Sequence, residues 1–187
     1  MTIYMLIVHI AGPSGSGKTH IGNIIQGKYK CVVKDLDNLW HEYKSSNSNI
    51  SYQEYINQFI ETHNNDSIVF VGIDANKCLP NPEGKIESVE KYDFNTKHLL
   101  YLRPNIQHLI SQRFKREIDK LFEQADTLIK KYFDGEKDKI IKKINRKVDI
   151  DFMIKNIEYC DEIYRMHNYS FVTYDECLEQ IDKILNK

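Results

Sequence analysis

The sequence predicts an α/β fold, a three-layer sandwich in which helices cover both faces of a five-stranded parallel sheet. Short apolar segments alternate with amphipathic segments along the whole chain, which is the pattern of strand–helix–strand units. With 187 residues, of which 41% are hydrophobic and 28% are charged, the chain has the size and composition of one globular domain. We therefore expect a single domain over residues 1–187.

The predicted strands are five short apolar segments, at residues 3–11, 31–37, 67–73, 99–102 and 169–173. The first is apolar almost throughout, as expected for a central strand that is covered on both faces. It is too short to span a bilayer, and no basic stretch precedes it, so we do not interpret it as a membrane or signal segment. The fourth strand ends ahead of Pro104, whose ring removes a backbone donor.

Helical periodicity predicts helices between the strands, at residues 18–28, 39–43, 52–62, 105 to about 133, 137–164 and 176–185. The segment 74–98 contains Pro80, Pro82 and Gly84. We predict that it forms a long irregular loop, of the kind that often serves function. Residues of about 105–150 are predicted to form a helical lid.

Charge and cysteine content bound the possible partners. The formal net charge is -1, so no overall field attracts nucleic acid or an anionic membrane, and we expect neither as a partner. Residues 113–147 nevertheless hold twelve Lys and Arg against seven Asp and Glu. Such a run is usually a solvated helix face, but it can also cover an anionic ligand. The four cysteines show no metal-ligand or disulfide spacing, which favours a reducing, cytoplasmic location.

A phosphate-binding loop follows the first predicted strand. The segment GPSGSGKT, from Gly12 to Thr19, satisfies the pattern G-x-x-x-x-G-K-[ST]; the alternative is a glycine-rich turn without function. Glycines let successive backbone N–H groups point at phosphate oxygens, and the helix that begins at Lys18 adds the positive end of its dipole. Lys18 is expected to bridge the β- and γ-phosphates, and the Thr19 hydroxyl to bind Mg²⁺. The residues predicted to bind the nucleoside triphosphate are Gly12, Ser14, Gly15, Ser16, Gly17, Lys18 and Thr19.

Three aspartates follow predicted strands at the edge of the sheet where ligands gather. Asp35 and Asp37 lie at the end of the second strand, and Asp74 follows the third. Phosphoryl transfer needs carboxylates to hold Mg²⁺ and to orient or deprotonate the attacking hydroxyl. We assign Asp37 to the hydroxyl, and Asp35 and Asp74, with Thr19, to the metal. The alternative for Asp37 is a helix N-cap ahead of residues 38–43.

Two arginines of the predicted lid are candidates for catalysis. Arg113 and Arg116 are three residues apart on one helix, so they share a face and could close over the transferring phosphate. The alternative is an exposed face that forms ion pairs with Glu117 or Asp119. Arg146 lies in another basic stretch and could join the lid.

Taken together, the motifs of this chain resemble those of the P-loop kinases of small molecules. HIAGPSGSGKT, VKDLDNLWHEY, SIVFVGID and FNTKHLLYLRPNIQHLISQRFKREIDK look most like the uridine kinase and phosphoribulokinase branch. The resemblance covers the chain to about Lys120, and it implies that Asp37 acts on the acceptor hydroxyl and that Arg113 and Arg116 are lid arginines. The D-x-D pair also resembles that of shikimate and gluconate kinases. The chain departs from the pattern at Gln112, where a basic residue is usual, and in lacking an acid before Gly72.

The predicted function is transfer of the γ-phosphoryl group of ATP or GTP to the hydroxyl of a small acceptor. No arginine lies between residues 38 and 66 to hold a phosphorylated acceptor. Trp40, Tyr43 and Tyr52 offer aromatic faces for a base, so a nucleoside is favoured. A nucleoside monophosphate kinase remains the alternative, as does a P-loop NTPase that acts as a switch or binding module. No guanine-reading NKxD motif is present.

Overall fold

The computed structural model describes residues 6–46, 49–64, 66–72 and 97–186. Its sheet has five strands in the order β2-β3-β1-β4-β5, and every neighbouring pair is parallel. The predicted five-stranded parallel sheet is therefore confirmed. The strands are β1 (Ile7–Ala11), β2 (Val32–Asp35), β3 (Ile68–Val71), β4 (Lys97–Leu102) and β5 (Ser170–Val172).

Helices connect the strands and form a separate group beyond β4. The helices are α1 (Lys18–Lys28), α2 (Leu36–Ser45), α3 (Tyr52–Thr62), α4 (Ile106–Glu123), α5 (Ala125–Lys131), α6 (Lys137–Val148), α7 (Ile150–Met166) and α8 (Tyr174–Leu185), with a π-helical turn at Tyr132–Glu136. Two predicted helices are each broken in two. The first break lies at Gln124 and the second at Asp149, whose carboxylate accepts a hydrogen bond from the N–H of Phe152 at 2.9 Å and so caps α7. Within the described residues, no helix is both long and apolar enough to cross a membrane.

The three layers follow from the alternation of side chains along β1. Val8 and Ile10 face α1 and α8, where they pack with residues such as Ile21 and Ile181. Ile7 faces the opposite side, in a cluster that includes helices α2 and α3. On that same side the other half of the sheet is covered by α7, and the shared cluster contains Ala11, Tyr101, Cys160, Ile163, Tyr164 and Tyr169. Each fully buried large aliphatic side chain contributes about 1.5–3 kcal/mol.

One polar residue lies inside this core. His9, in the middle of β1, is fully buried; its Nε2 is 3.0 Å from the carbonyl of Gly72 and its Nδ1 is 2.6 Å from the hydroxyl of Tyr169. Because a carbonyl can only accept, Nε2 carries the proton and Nδ1 accepts from Tyr169. Burial lowers the pKa of His9 to about 4. The hydrogen bond to Gly72 acts in the opposite direction, and the positive charge of Lys18 makes a smaller contribution that also lowers the pKa. The ring is therefore neutral near pH 7 and joins β1 to the end of β3.

Candidate active site

The glycine-rich loop connects the carboxyl end of β1 to the first turn of α1. Gly12 has a φ of 154°, and a Cβ there would lie 2.6 Å from the carbonyl oxygen of Leu102 in β4. Only glycine allows so close a backbone approach. Gly17 is the N-cap of α1 with a φ of 93°, and no side chain caps this helix. The loop therefore presents the open amino end of a helix, which is where backbone N–H groups and the helix dipole favour an anion.

Two polar side chains of the loop fit a phosphate. The ammonium of Lys18 donates hydrogen bonds to the carbonyls of Gly12 and Pro13, at 2.7 and 2.9 Å, so it folds back over the loop. The hydroxyl of Ser16 is buried and has no hydrogen-bond partner within the described part of the chain. A buried hydroxyl without a partner is unfavourable, and a phosphate oxygen in the loop would satisfy it. These residues fit a nucleoside triphosphate.

The second strand ends two residues earlier than predicted. β2 ends at Asp35, and α2 begins at Leu36. Asp35 is the N-cap of α2, because its Oδ1 accepts from the N–H of Asp37 at 2.9 Å and from that of Asn38 at 3.4 Å. The alternative that Asp37 caps this helix is wrong, since Asp35 takes that role. Both hydrogen bonds use Oδ1 of Asp35.

Asp37 lies exposed on the first turn of α2. Its pKa is raised, first because neighbouring protein atoms desolvate the carboxylate and second because Asp35 repels its negative charge. The positive charges of Lys18 and His41 act in the opposite direction. The influence of Lys18 on this pKa places the Asp37 carboxylate within electrostatic range of the phosphate-binding loop.

The structure describes two of the three predicted metal ligands, Thr19 and Asp35. Thr19 and Asp35 line one cavity of about 490 Å³ between α1, β2 and α2, so the fold brings these two oxygen donors to the same space. Asp74 lies outside the described residues. Among residues 6–46, 49–64, 66–72 and 97–186, no group of three or more His, Cys, Asp or Glu is arranged to hold a metal ion. A magnesium ion at this edge fits few protein ligands together with phosphate oxygens.

The two lid arginines lie on α4, which packs against the phosphate-binding loop. Arg116 donates a hydrogen bond from Nη2 to the hydroxyl of Ser14. Arg113 points away from Ser14 and donates to Oδ1 of Asn156 in α7 at 2.8 Å. Burial, and then the nearby charge of Arg116, lower the pKa of Arg113. Arg116 is 3.9 Å from Glu117, so the ion-pair alternative is present only as a long contact.

Tyr174 is a neighbour of the loop that the sequence did not reveal. Its ring lies 3.7 Å from the position that a Cβ would take at Gly17, and it stacks on the ring of His20 with centroids 5.9 Å apart. It is the first residue of α8, just beyond β5. The signal that could have found it is position, because ligands gather at the carboxyl ends of parallel strands.

The aromatic residues of α2 and α3 are engaged with one another. Ring centroids of Trp40 and Tyr52 are 4.8 Å apart, and those of Tyr43 and Tyr52 are 5.2 Å apart. The hydroxyl of Tyr52 donates to the carbonyl of Leu36 at 3.2 Å, and that of Tyr43 to the carbonyl of Ile50 at 3.0 Å. These three rings pack in or against the core cluster of this face. The structure therefore gives no support to the interpretation of these rings as a stacking surface for a base.

Comparison with known proteins places this arrangement among the P-loop kinases by fold. No protein-family model and no curated protein sequence matches the chain. The crystal structure of shikimate kinase from Bacteroides thetaiotaomicron superposes with a TM-score of 0.50 and 15% sequence identity, over 98% of this chain and 99% of that one. The crystal structure of APE1195 gives a TM-score of 0.39 with 15% identity, over 67% of this chain and 73% of that one. A score this low does not show a shared fold.

At this level of identity the likeness shows architecture alone. It covers nearly the whole of both chains. The resemblance to the uridine kinase branch stays a prediction, since the likeness to the shikimate kinase structure shows the fold and not that branch. The chain has the three-layer α/β fold of a P-loop small-molecule kinase.

Proposed function

We propose that this protein is a Mg²⁺-dependent kinase that transfers the γ-phosphoryl group of ATP or GTP to a hydroxyl of a small acceptor. The observation that carries the proposal is the geometry around the glycine-rich loop. A complete G-x-x-x-x-G-K-T segment occupies the strand-to-helix turn, Arg116 contacts its Ser14, and Asp37 is coupled to its lysine.

The loop would hold the triphosphate. Backbone N–H groups at the start of α1 bind phosphate oxygens, and the hydroxyl of Ser16 supplies one more donor. Lys18 leaves the carbonyls of Gly12 and Pro13 and bridges the β- and γ-phosphates. Thr19 and Asp35, together with Asp74, would hold Mg²⁺, which neutralises the developing charge on the phosphate oxygens.

Asp37 would act on the acceptor. Its carboxylate accepts the proton of the acceptor hydroxyl while that oxygen forms a bond to the γ-phosphorus. The bond from the γ-phosphorus to the β–γ bridging oxygen breaks, and the nucleoside diphosphate leaves. A carboxylate whose pKa is raised accepts a proton more readily than an ordinary one, which suits this role.

Arg116 would stabilise the transferring group from the opposite side of the loop. Its guanidinium already reaches Ser14, so a small rotation directs it at the equatorial oxygens of the γ-phosphate. Arg113 is three residues away on the same helix and donates to Asn156; we propose that its positive charge supports the transferring group at longer range, without leaving that hydrogen bond.

The acceptor is proposed to be uncharged at the point of binding, with a nucleoside as the favoured case. The cavity that contains Thr19 and Asp35 is polar, and Asn23, Gln26, Asn38 and His41 contribute hydrogen-bonding groups to it. Lys34 also lines this cavity, but its ammonium is paired with Glu42 at 2.6 Å.

Among the described residues, Asp35 and Glu42 line that cavity and no arginine does, so a phosphate dianion would be repelled there, whereas a hydroxyl would find acceptors. A nucleoside monophosphate kinase is the second candidate. It requires a cation from the segment 73–96, which lies outside the described residues.

The test is a panel of nucleosides, sugars and nucleoside monophosphates incubated with γ-labelled ATP or GTP and Mg²⁺. We expect labelled product from a hydroxyl compound, with a kcat/KM above that of every monophosphate. A clear preference for a monophosphate would replace this proposal with the second candidate.

A further inference from the structure

Among the helices that follow β4 lies an open cavity that is distinct from the one beside Thr19 and Asp35. It has a volume of about 560 Å³ and lies between α4, α6 and the start of α7, in the size range of small-molecule sites. A single carboxylate, that of Glu117, lines it. The cations that line it are Arg113, Lys139, Lys142, Lys143, Arg146 and Lys147.

The cavity and the phosphate-binding loop are contacted by different side chains of α4. Gln112 packs beside Gly15, and Arg116 contacts Ser14. Arg113 and Glu117 are four residues apart, share the next side of the helix, and line the cavity with residues of α6. The arginine pair that the sequence assigns to one lid face is thus divided between two sites.

The positive charge of the cavity is only partly compensated. Lys147 is paired with Glu117 at 2.6 Å, and Lys139 is 3.9 Å from Glu136. The remaining contacts that the structure shows are to neutral groups. Lys143 donates to the amide oxygen of Gln124 at 3.2 Å.

Two arginines complete this pattern. Arg113 donates to the amide oxygen of Asn156, and Arg146 lies 5.0 Å from the centre of the Phe152 ring. Like charges held around one cavity repel one another. A multiply charged anion would remove that repulsion and gain several charge-assisted hydrogen bonds.

We propose that this cavity is a second ligand site, for a small compound that carries at least two phosphate groups. Six cations against one carboxylate match the charge of such a compound, and the forked donors of Arg113 and Arg146 suit phosphate oxygens. Phe152 and Met153 give the cavity an apolar floor. The second site is separate from the triphosphate donor site at the loop.

The experiment measures binding of inorganic tripolyphosphate by titration calorimetry. The background is the Lys18→Ala protein, because this substitution weakens the loop as a competing phosphate site. In that background we compare Lys142→Gln/Lys143→Gln with the matched pair Lys130→Gln/Lys131→Gln, which removes the same charge from exposed positions of α5 outside the cavity. A single Lys142→Gln variant adds a milder change, and melting temperatures verify folding.

We expect one equivalent of tripolyphosphate to bind to the Lys18→Ala protein. The cavity pair should weaken it about tenfold, and the matched pair less than about twofold at the same ionic strength. Equal weakening by both pairs, or no binding to the Lys18→Ala protein, would overturn the proposal. Displacement of the tripolyphosphate from the wild-type protein by a non-hydrolysable ATP analogue would also overturn it, because the cavity would then belong to the donor site. Failure of this test leaves the proposed kinase function untouched, since that function rests on the loop.

Discussion

The two sides of the phosphate-binding loop differ in charge. On the side of β2 and α2, Asp37 lies within electrostatic range of Lys18, and Asp35 and Glu42 line the adjoining cavity, where Lys34 is paired with Glu42. On the side of α4 the loop meets a cation, because Arg116 donates a hydrogen bond to the hydroxyl of Ser14. In a phosphoryl transfer a base is needed where the hydroxyl arrives, and cations are needed around the phosphate oxygens. The comparison teaches that this fold can separate the two tasks onto opposite sides of one loop.

Removing Lys18, the cation of the phosphate-binding loop, should have the largest effect on activity. We expect Lys18→Ala to lower kcat more than about 10³-fold, because the ammonium stabilises negative charge in the transition state. The fold should persist, since Lys18 contacts loop carbonyls and lies outside the buried core. Steady-state rates with melting temperatures check this. The matched control is Lys30→Ala, at an exposed position next to α1. An unchanged rate in a folded Lys18→Ala protein would contradict the account.

The acidic side is tested by Asp37→Asn. We expect kcat to fall about 10²–10³-fold with little change in ATP affinity, because a hydroxyl-orienting base acts in the chemical step. Initial rates and ATP titrations separate the two quantities.

The neighbouring Asp35→Ala variant is the stability reference for that test, and its activity should fall as well because Asp35 is a proposed Mg²⁺ ligand. It removes the N-cap of α2 and should lower the free energy of unfolding by about 1 kcal/mol. If instead Asp37→Asn lost stability and kept its specific activity, the catalytic role of Asp37 would be wrong.

His9, in the central strand β1, should make the free energy of unfolding depend on pH. The pKa of His9 is lowered to about 4 in the folded chain from an ordinary 6.5, so the unfolded chain binds a proton that the folded chain does not between those values. The stability from this residue is therefore complete above the unfolded pKa and is lost as the pH falls toward about 4.

We expect a loss of about 2 kcal/mol between about pH 7.5 and about pH 5 from His9 alone. Urea unfolding of the wild type and of His9→Gln at the two pH values measures it, because glutamine does not titrate and keeps a donor for Gly72. Equal pH dependence in the two proteins would show that His9 is not buried as a neutral ring.

The smallest effect is expected on the basic side. Arg116→Ala should lower kcat about tenfold, since the arginine contacts the loop and assists charge stabilisation that Lys18 also provides. Arg165→Ala is the matched control, because this exposed arginine lies over Phe171 on the outer surface. Rates for the two variants are compared at saturating ATP. Equal rates would remove Arg116 from the transferring phosphate.

Much of the architecture was predictable because strands β1 and β3 are apolar except for His9 and the loop motif predicts a strand-to-helix turn. The sheet and the loop follow from local pattern, as β1 and α1 show. The end of β2 at Asp35 was not predictable from the sequence. Either Asp35 or Asp37 could have been the N-cap of the helix that follows. Only the hydrogen bonds of Asp35 decide between them.

The different directions of Arg113 and Arg116 could not be predicted either. Helical spacing places them on neighbouring positions of one face, but the partners Asn156 and Ser14 come from distant parts of the chain. The packing of Tyr43 and Tyr52 could not be predicted either. Their aromatic side chains suggest a binding surface, but in the structure the two rings contact each other.

The most direct test of the central claim follows the γ-phosphoryl group itself. The wild-type protein is incubated with γ-labelled ATP, Mg²⁺ and the best hydroxyl acceptor from the panel, and the label is partitioned between the acceptor and inorganic phosphate. We expect most of the label to reach the acceptor, and Asp37→Asn to slow this transfer far more than it weakens ATP binding. Release of the label only as inorganic phosphate, at a rate that no acceptor changes, would contradict it and indicate an NTPase switch.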